Sequence, residues 1–457
     1  MKNLDPSAPS ITQMDVKYGT SLQKDAQRKE YVFIAGTKEL LRSGPLNLLL
    51  LCTPFAIISY FSNWPQPITF TLSLLSIAPF AERLGYVTEQ LAMHTNETIG
   101  GLLNATFGNA TELIISLSAL NQGLYRVIQL SLLGSILSNL LLVMGCAFLA
   151  GGTRFKTQRF GTISGQINSS LLMLSCMGLL FPAVLTISSE ENIKDELMYS
   201  RITSLVLIVM YGCYLFFQLK THRDAYEGGD EEGADSKSIK EARTIQMPSR
   251  SSVDVEEARS PVLAGLMSGS ELNDRAEDPS SGGGLGEGED EGEGAEDEDE
   301  DVLGFNYSIV WLAIITIFIS FLSNALVECI DETAQKVSGF FLSAIVLPIV
   351  GNAAEHASAV IFAMRGKLDL SLGVAVGSST QIALMVLPLL VIFGWFLDKP
   401  MSLNFHPFET CSLVLSVVIA TFAIASGQSN WLLGAILVGG YVIIATGFAL
   451  HNNEPLE

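Results

Sequence analysis

The sequence predicts an all-α polytopic membrane protein of eleven transmembrane helices, one extra N-terminal helix plus two inverted five-helix repeats. Two observations carry this expectation. Hydrophobic residues make up 49% of the 457 and gather in continuous apolar runs of membrane length. Such runs are too long and unbroken for the alternating strands of a barrel. The second observation is a duplication. Gly108-Asn109-Ala110-Thr111-Glu112 has a near copy in Gly351-Asn352-Ala353-Ala354-Glu355. A second polar cluster follows 26 residues behind each glycine, Gly134-Ser135-Ile136-Leu137-Ser138-Asn139 and Gly377-Ser378-Ser379-Thr380-Gln381. One offset of 243 residues superimposes all four landmarks.

Taken in order, residues 1–44 form a polar cytosolic tail with seven Lys/Arg and no apolar stretch of the kind a cleaved leader carries. Residues 45–64 supply the extra helix, apolar over 45–62, which stands outside the duplication. The first repeat, 65–220, holds spans near 68–91, 98–121, 123–150, 161–188 and 200–220. The second, 305–451, holds spans near 305–328, 337–364, 368–396, 406–426 and 430–450. A tail, 452–457, ends the chain. Because five spans is an odd number, successive copies enter the membrane in opposite senses, a plan that places a transport site at the repeat interface. With a cytosolic N-terminus, Arg154, Lys156, Arg159, Arg365 and Lys367 fall on the cytosolic side. Few cations are left opposite, in keeping with the positive-inside bias.

The formal charge of −21 is local: residues 223–301 hold 25 Asp/Glu against seven Lys/Arg. The linker 221–304 is therefore read as an acidic cytosolic loop, largely disordered, whose Gly, Ser and acidic residues cannot bury enough apolar surface to fold alone. A low-affinity reservoir for divalent cations is the second reading of that loop. No basic stripe suits nucleic acid. Six scattered cysteines give neither a disulfide framework nor a zinc spacing.

The site follows from the duplicated motif. A carboxylate at membrane depth costs about 2.5–3.5 kcal/mol, so Glu112 and Glu355 are functional residues by default. Gly108 and Gly351, with Pro348 nearby, are expected to let the helix bend or open, and freed carbonyl oxygens suit a hard cation. Asn109 and Asn352 can satisfy the freed backbone groups. Ser135, Ser138, Asn139, Ser378 and Gln381 add neutral oxygens. An oxygen-only cage with two carboxylates suits Ca²⁺, which takes about six to eight such ligands, and would tolerate Mn²⁺. Without a cation the two carboxylates repel each other unless protons neutralise them, so the site holds either metal or protons. His356, which has Leu113 at the matching place, reads as a packing or hydrogen-bonding group or as a proton relay. Glu82, Glu89, Glu328, Asp331 and Glu332 read as an access path or as helix-end residues near headgroups.

The stretches Ala105-Thr106-Phe107-Gly108-Asn109-Ala110-Thr111-Glu112-Leu113-Ile114 and Pro348-Ile349-Val350-Gly351-Asn352-Ala353-Ala354-Glu355-His356 resemble the paired motifs of the Ca²⁺/H⁺ exchangers, the vacuolar-type cation/proton exchangers of the calcium/cation antiporter superfamily. The resemblance implies exchange of cytosolic Ca²⁺ for lumenal H⁺ in the membrane of the vacuole or another acidic organelle, with Ca²⁺ as substrate and no cofactor. It carries the essential glutamates onto Glu112 and Glu355, with support from Asn109, Asn352, Ser135, Asn139, Ser378 and Gln381. Gln381-Ile382 stands where sodium/calcium exchangers carry an extra acid, which favours protons as counter-ion. A Na⁺-coupled exchanger and a passive divalent-cation channel are the competing readings, and assembly with further copies of the chain is left open. No hydrolase motif is present, so an enzyme is not expected.

Overall fold

A computed structural model describes residues 37, 38, 40, 45–188, 193–222, 303–335 and 337–450. The chain divides into two units, and the described residues belong to the one formed by Met1–Gly229 and Asp301–Glu457. The expectations for the N-terminal tail, most of the acidic loop and the C-terminal tail lie outside the described residues.

The architecture of the described residues is helical, with one two-residue strand pair among them. Seven helices among the described residues are long and apolar enough to cross a membrane: Tyr125–Arg154, Thr162–Val184, Glu196–Thr221, Phe305–Glu328, Leu368–Phe396, Pro407–Ala425 and Trp431–Leu450. Gly339–Gly351 and Ala353–Met364 pass that test together but are bent by 55°. The apolar helix Leu46–Phe61 is shorter. Gln66–Met93 runs for 28 residues and carries Glu82, Arg83 and Glu89. The stretch expected as a single span near 98–121 is two helices, Glu97–Phe107 and Ala110–Gln122, separated at Gly108 and Asn109.

The outer helices bear the marks of lipid contact. Trp431–Leu450 has only 22% of its apolar window buried, against 83% for Tyr125–Arg154, which therefore lies at the centre. The core is built on the middle of that helix and its partners, with Ile128, Leu137, Leu140, Phe148, Leu384 and Leu390 fully enclosed. Close approach is achieved by small residues: a Cβ on Gly134 would overlap the Ala344 carbonyl oxygen and press on Pro348. Small residues at helix contacts serve membrane packing, where no hydrophobic effect drives helices together.

Connections gather in two sets. In one, Gln158 and Arg159 pair antiparallel with Ser429 and Gln428. There Arg154 Nη1 donates to the Met364 carbonyl (3.3 Å), Gln158 Nε2 to that of Ala363 (2.8 Å), and the Gly161 amide to Asp369 Oδ1 (2.8 Å). In the other, Arg126 meets Glu409, and Gln129 Nε2 donates to the carbonyls of Ser402 (3.0 Å) and Asn404 (3.1 Å). The same set holds Lys399 Nζ on the Asn121 carbonyl (2.6 Å) and the Leu403 amide on Ser200 Oγ (3.0 Å).

Candidate ion-binding site

Each motif breaks its helix in the same way. Asn109 has φ −113° and ψ 23°, and Asn352 has φ −97° and ψ 18°, so both leave the helical region for one residue before the helix resumes. The carboxylate follows in the first turn of the resumed helix, Glu112 in Ala110–Gln122 and Glu355 in Ala353–Met364. A negative group there faces the positive end of the helix dipole. The glycines do not carry the bend as expected. Gly108 sits at φ −57° and ψ −33°, an ordinary right-handed conformation, and a Cβ on Gly351 would meet nothing within 4 Å. The asparagines, which tolerate irregular backbone, make the break.

Those asparagines were also expected to serve the freed backbone, and their side chains do not cap the following helix. Asn109 instead reaches across the molecule. Its Nδ2 donates to Gln381 Oε1 at 2.6 Å, and its Oδ1 accepts from Ser378 Oγ at 2.9 Å. Ser378 Oγ also lies 3.2 Å from Glu355 Oε1, and Asn139 Nδ2 donates to Glu355 Oε2 at 3.1 Å and to Ser378 Oγ at 3.2 Å. One connected network thus joins Asn109, Asn139, Ser378, Gln381 and Glu355, with members from both halves of the chain. Asn139 Oδ1 is buried without a hydrogen-bond partner, an oxygen that a cation could use.

Glu112 faces a different environment. It lines a cavity of about 20 Å³ with Thr111, Ser131, Ser135, Pro348, Gly351 and Asn352. That volume exceeds the ~10–15 Å³ that one water needs. Both glutamate side chains are half-buried. Glu355 therefore has the Asn139 amide and the Ser378 hydroxyl within hydrogen-bond distance, whereas Glu112 opens onto a small cavity whose wall also includes the apolar Ile115, Leu132 and Leu347. Carboxylate, amide and hydroxyl oxygens are donors of the kind a hard cation takes. Among the described residues, no group of three or more His, Cys, Asp and Glu side chains offers a denser metal cluster.

Helix geometry near these groups is locally widened. Ser138–Val143 forms a π turn that carries Asn139, and π turns at Gly373–Gly377 and Ile382–Val386 flank Ser378–Gln381. Such turns recur at functional sites, because one extra residue per turn re-aims side chains and loosens backbone bonding. Sequence reasoning had no signal for them. It also passed over Thr111 and Ser131, though Thr111 lay inside the quoted motif.

The remaining candidates fall elsewhere. His356 Nε2 is 3.1 Å from Ser138 Oγ, a hydrogen-bonded pair across the halves. Glu82 lies 3.7 Å from Arg83 Nη1 and is half-buried. Glu89, Glu328 and Asp331 are exposed, with Glu332 half-buried. Glu328 accepts from the Tyr60 hydroxyl (2.7 Å) and from Asn324 Nδ2 (2.6 Å), which ties the extra helix to the second half. None of these acids belongs to the network around Glu355.

Fold and site together define a polytopic helical membrane protein with a carboxylate at each of two matched helix breaks, the build of an ion transporter. Residues 66–220 and 307–450 match the family described as sodium/calcium exchanger protein, and the chain belongs to that family. It is 43% identical over 416 residues to vacuolar cation/proton exchanger 3 of Oryza sativa subsp. japonica, covering 90% of this chain and 86% of the relative. Vacuolar cation/proton exchanger 5 of Arabidopsis thaliana is 43% identical over 422 residues, covering 91% and 83%. Among solved structures, native YfkE superimposes with a TM-score of 0.65 at 30% identity, over 89% of this chain and 99% of YfkE. A selenium-substituted form of YfkE is described as a Ca²⁺/H⁺ antiporter. The H⁺/Ca²⁺ exchanger CAX shares the fold at a TM-score of 0.56 and 15% identity, over 89% of this chain and 91% of that one.

Proposed function

We propose that this protein is a secondary active antiporter of a vacuolar or other acidic-organelle membrane, exchanging cytosolic Ca²⁺, and Mn²⁺ as a tolerated substitute, for lumenal H⁺. Glu112 and Glu355 hold the divalent cation or protons in turn. The observation that carries this reading is the pair of equivalent helix breaks, one in each half and each followed by a glutamate, with Asn139 of the first half bonded to Glu355 of the second. Two acids so placed need neutralising charge, and a divalent ion or a pair of protons meets that need equally well. The similarity to vacuolar cation/proton exchangers and to YfkE supports the coupling ion and the membrane.

Alternating access needs a matched pair of half-sites, and the inverted-repeat plan of one extra helix and two five-helix units, 65–220 and 305–451, provides it. The two sets of connecting contacts agree with eleven spans. Counting each expected span as one crossing puts residues 154–161, 364–369 and 426–430 on one side. The same count puts 121–126, 188–200 and 397–406 on the other. These are the groupings that touch. The helices broken at Asn109 and Asn352 escape a simple apolarity test because the motif interrupts them, and Gln66–Met93 because it carries Glu82, Arg83 and Glu89. In this reading Asn109, Asn352, Gly108, Gly351, Ser135, Asn139, Ser378 and Gln381 complete the site. His356 orients Ser138, and Glu82, Glu89, Glu328, Asp331 and Glu332 stand apart from the binding step.

The test is Ca²⁺ uptake into vesicles carrying the purified protein, driven by an imposed pH gradient with acid inside. Uptake that a protonophore abolishes is the expected result. Flux that follows voltage alone would make the protein a channel, and a requirement for trapped Na⁺ would make it a sodium-coupled exchanger.

A further inference from the structure

Five cations converge at the end of the molecule marked by the strand pair: Arg154, Lys156, Arg159, Arg365 and Lys367 are all exposed. They come from two segments far apart in sequence that are stapled together. Arg154 reaches the Met364 carbonyl, Gln158 that of Ala363, and the Gly161 amide donates to Asp369. Gly366 adopts φ +81°, a left-handed conformation natural to glycine, and packs beneath the Phe155 ring. The second segment therefore turns back against the first. Asp369, the one acid within 150–161 and 362–370, is engaged by the Gly161 amide. An asymmetry in the number of cations explains orientation in the membrane. It does not explain why the two loops that carry these cations are fixed to one another.

Neighbouring side chains set the depth. Trp431 is 58% exposed and backs onto Gly152, two residues before Arg154. Tryptophan favours the headgroup level, where its ring is half in lipid and half in water. Ile361, Met364, Leu370 and Ile163 are exposed around the same end, as lipid-facing residues would be. We infer that Arg154, Lys156, Arg159, Arg365 and Lys367 form a binding site for the phosphate-bearing headgroup of an anionic phospholipid, with Trp431 as its anchor at the bilayer boundary. Lysine and arginine clusters beside membrane spans recognise such headgroups through summed attraction and charge-assisted hydrogen bonds to phosphate. The site lies outside the glutamate network, so this inference stands whether or not the transport reading does.

The experiment counts phosphatidylinositol phosphate retained by the purified full-length chain in native mass spectrometry, with phosphatidylcholine as the neutral reference. The variant K156Q/R159Q/K367Q leaves Arg154 and its backbone contact in place. Its affinity for phosphatidylinositol phosphate is expected to fall on the order of fivefold for each cation removed. The charge-keeping variant K156R/K367R should retain the lipid. Equal retention by the wild type and the triple variant would overturn the proposal. So would displacement of the lipid by inorganic phosphate at similar concentration, which would assign the cations to a soluble anion instead.

Discussion

Asn139 of the first half donates its side-chain amide to the Glu355 carboxylate of the second at 3.1 Å. The two residues are 216 positions apart, and no local rule links them. The bond supports the charged carboxylate where a cation would be received, and a hydrogen bond to a charged group is worth about 1.5–3 kcal/mol. Asn139→Ala should therefore weaken Ca²⁺ binding roughly ten- to a hundredfold. Isothermal titration with the purified variant measures this, and unchanged affinity would remove Asn139 from the site.

Gly134 meets the Ala344 carbonyl so closely that even a methyl overlaps it. Overpacking of this kind costs about 1–3 kcal/mol. Gly134→Ala should lower the unfolding midpoint in detergent, and Gly134→Val should lower it further. Gly351→Ala, where a Cβ meets nothing, should leave stability nearly unchanged. A reversed order would mean that the close helix crossing is misplaced.

Arg126 and Glu409 form an ion pair of 2.5 Å, with side chains 13% and 2% exposed. The Arg126 guanidinium also reaches Gln129 and lies 5.7 Å from the Phe340 ring centre. Glu409 Oε2 accepts from the His406 amide at 3.1 Å. Removing one partner leaves a buried charge alone, which costs about 3–5 kcal/mol. Arg126→Ala should destabilise the protein more than the double change R126A/E409A, a comparison that thermal unfolding of both variants settles. The opposite order would show that the pair contributes little.

His356 pairs with the Ser138 hydroxyl. His356→Gln keeps a side-chain hydrogen-bonding group at that position and should preserve pH-gradient-driven Ca²⁺ uptake. Loss of uptake in a folded H356Q protein would point to proton transfer through the imidazole instead.

The sequence made the two glutamates legible because a carboxylate in an apolar run is conspicuous, and its repetition at one offset removes coincidence. The polar clusters were legible for the same reason. What the spacing could not convey is how they connect. Asn109 bonds to Gln381, 272 positions away, and the helices carrying Asn139 and Ser378 widen into π turns whose sequences, Ser138–Val143 and Gly373–Gly377, look like ordinary apolar helix. The role assigned to Gly108 passed to Asn109 because an irregular φ of −113° is open to asparagine and needs no glycine. The ion pair of Glu409 with Arg126 was not legible, since it depends on two connections meeting in space. For Glu328 the sequence leaves an access path and a helix end near headgroups both open, and it conveys neither the Tyr60 nor the Asn324 partner that the structure shows.

The exclusive occupancy of the paired acids is measured most directly by the protons released when Ca²⁺ binds. Calorimetric titration of the purified protein in buffers of different ionisation heat gives that number, and about two protons per Ca²⁺ are expected at a pH where both acids are protonated. Glu112→Gln and Glu355→Gln should each abolish tight binding together with the release. Ca²⁺ binding with no proton released across the acidic range, or with undiminished release in both variants, would contradict the account.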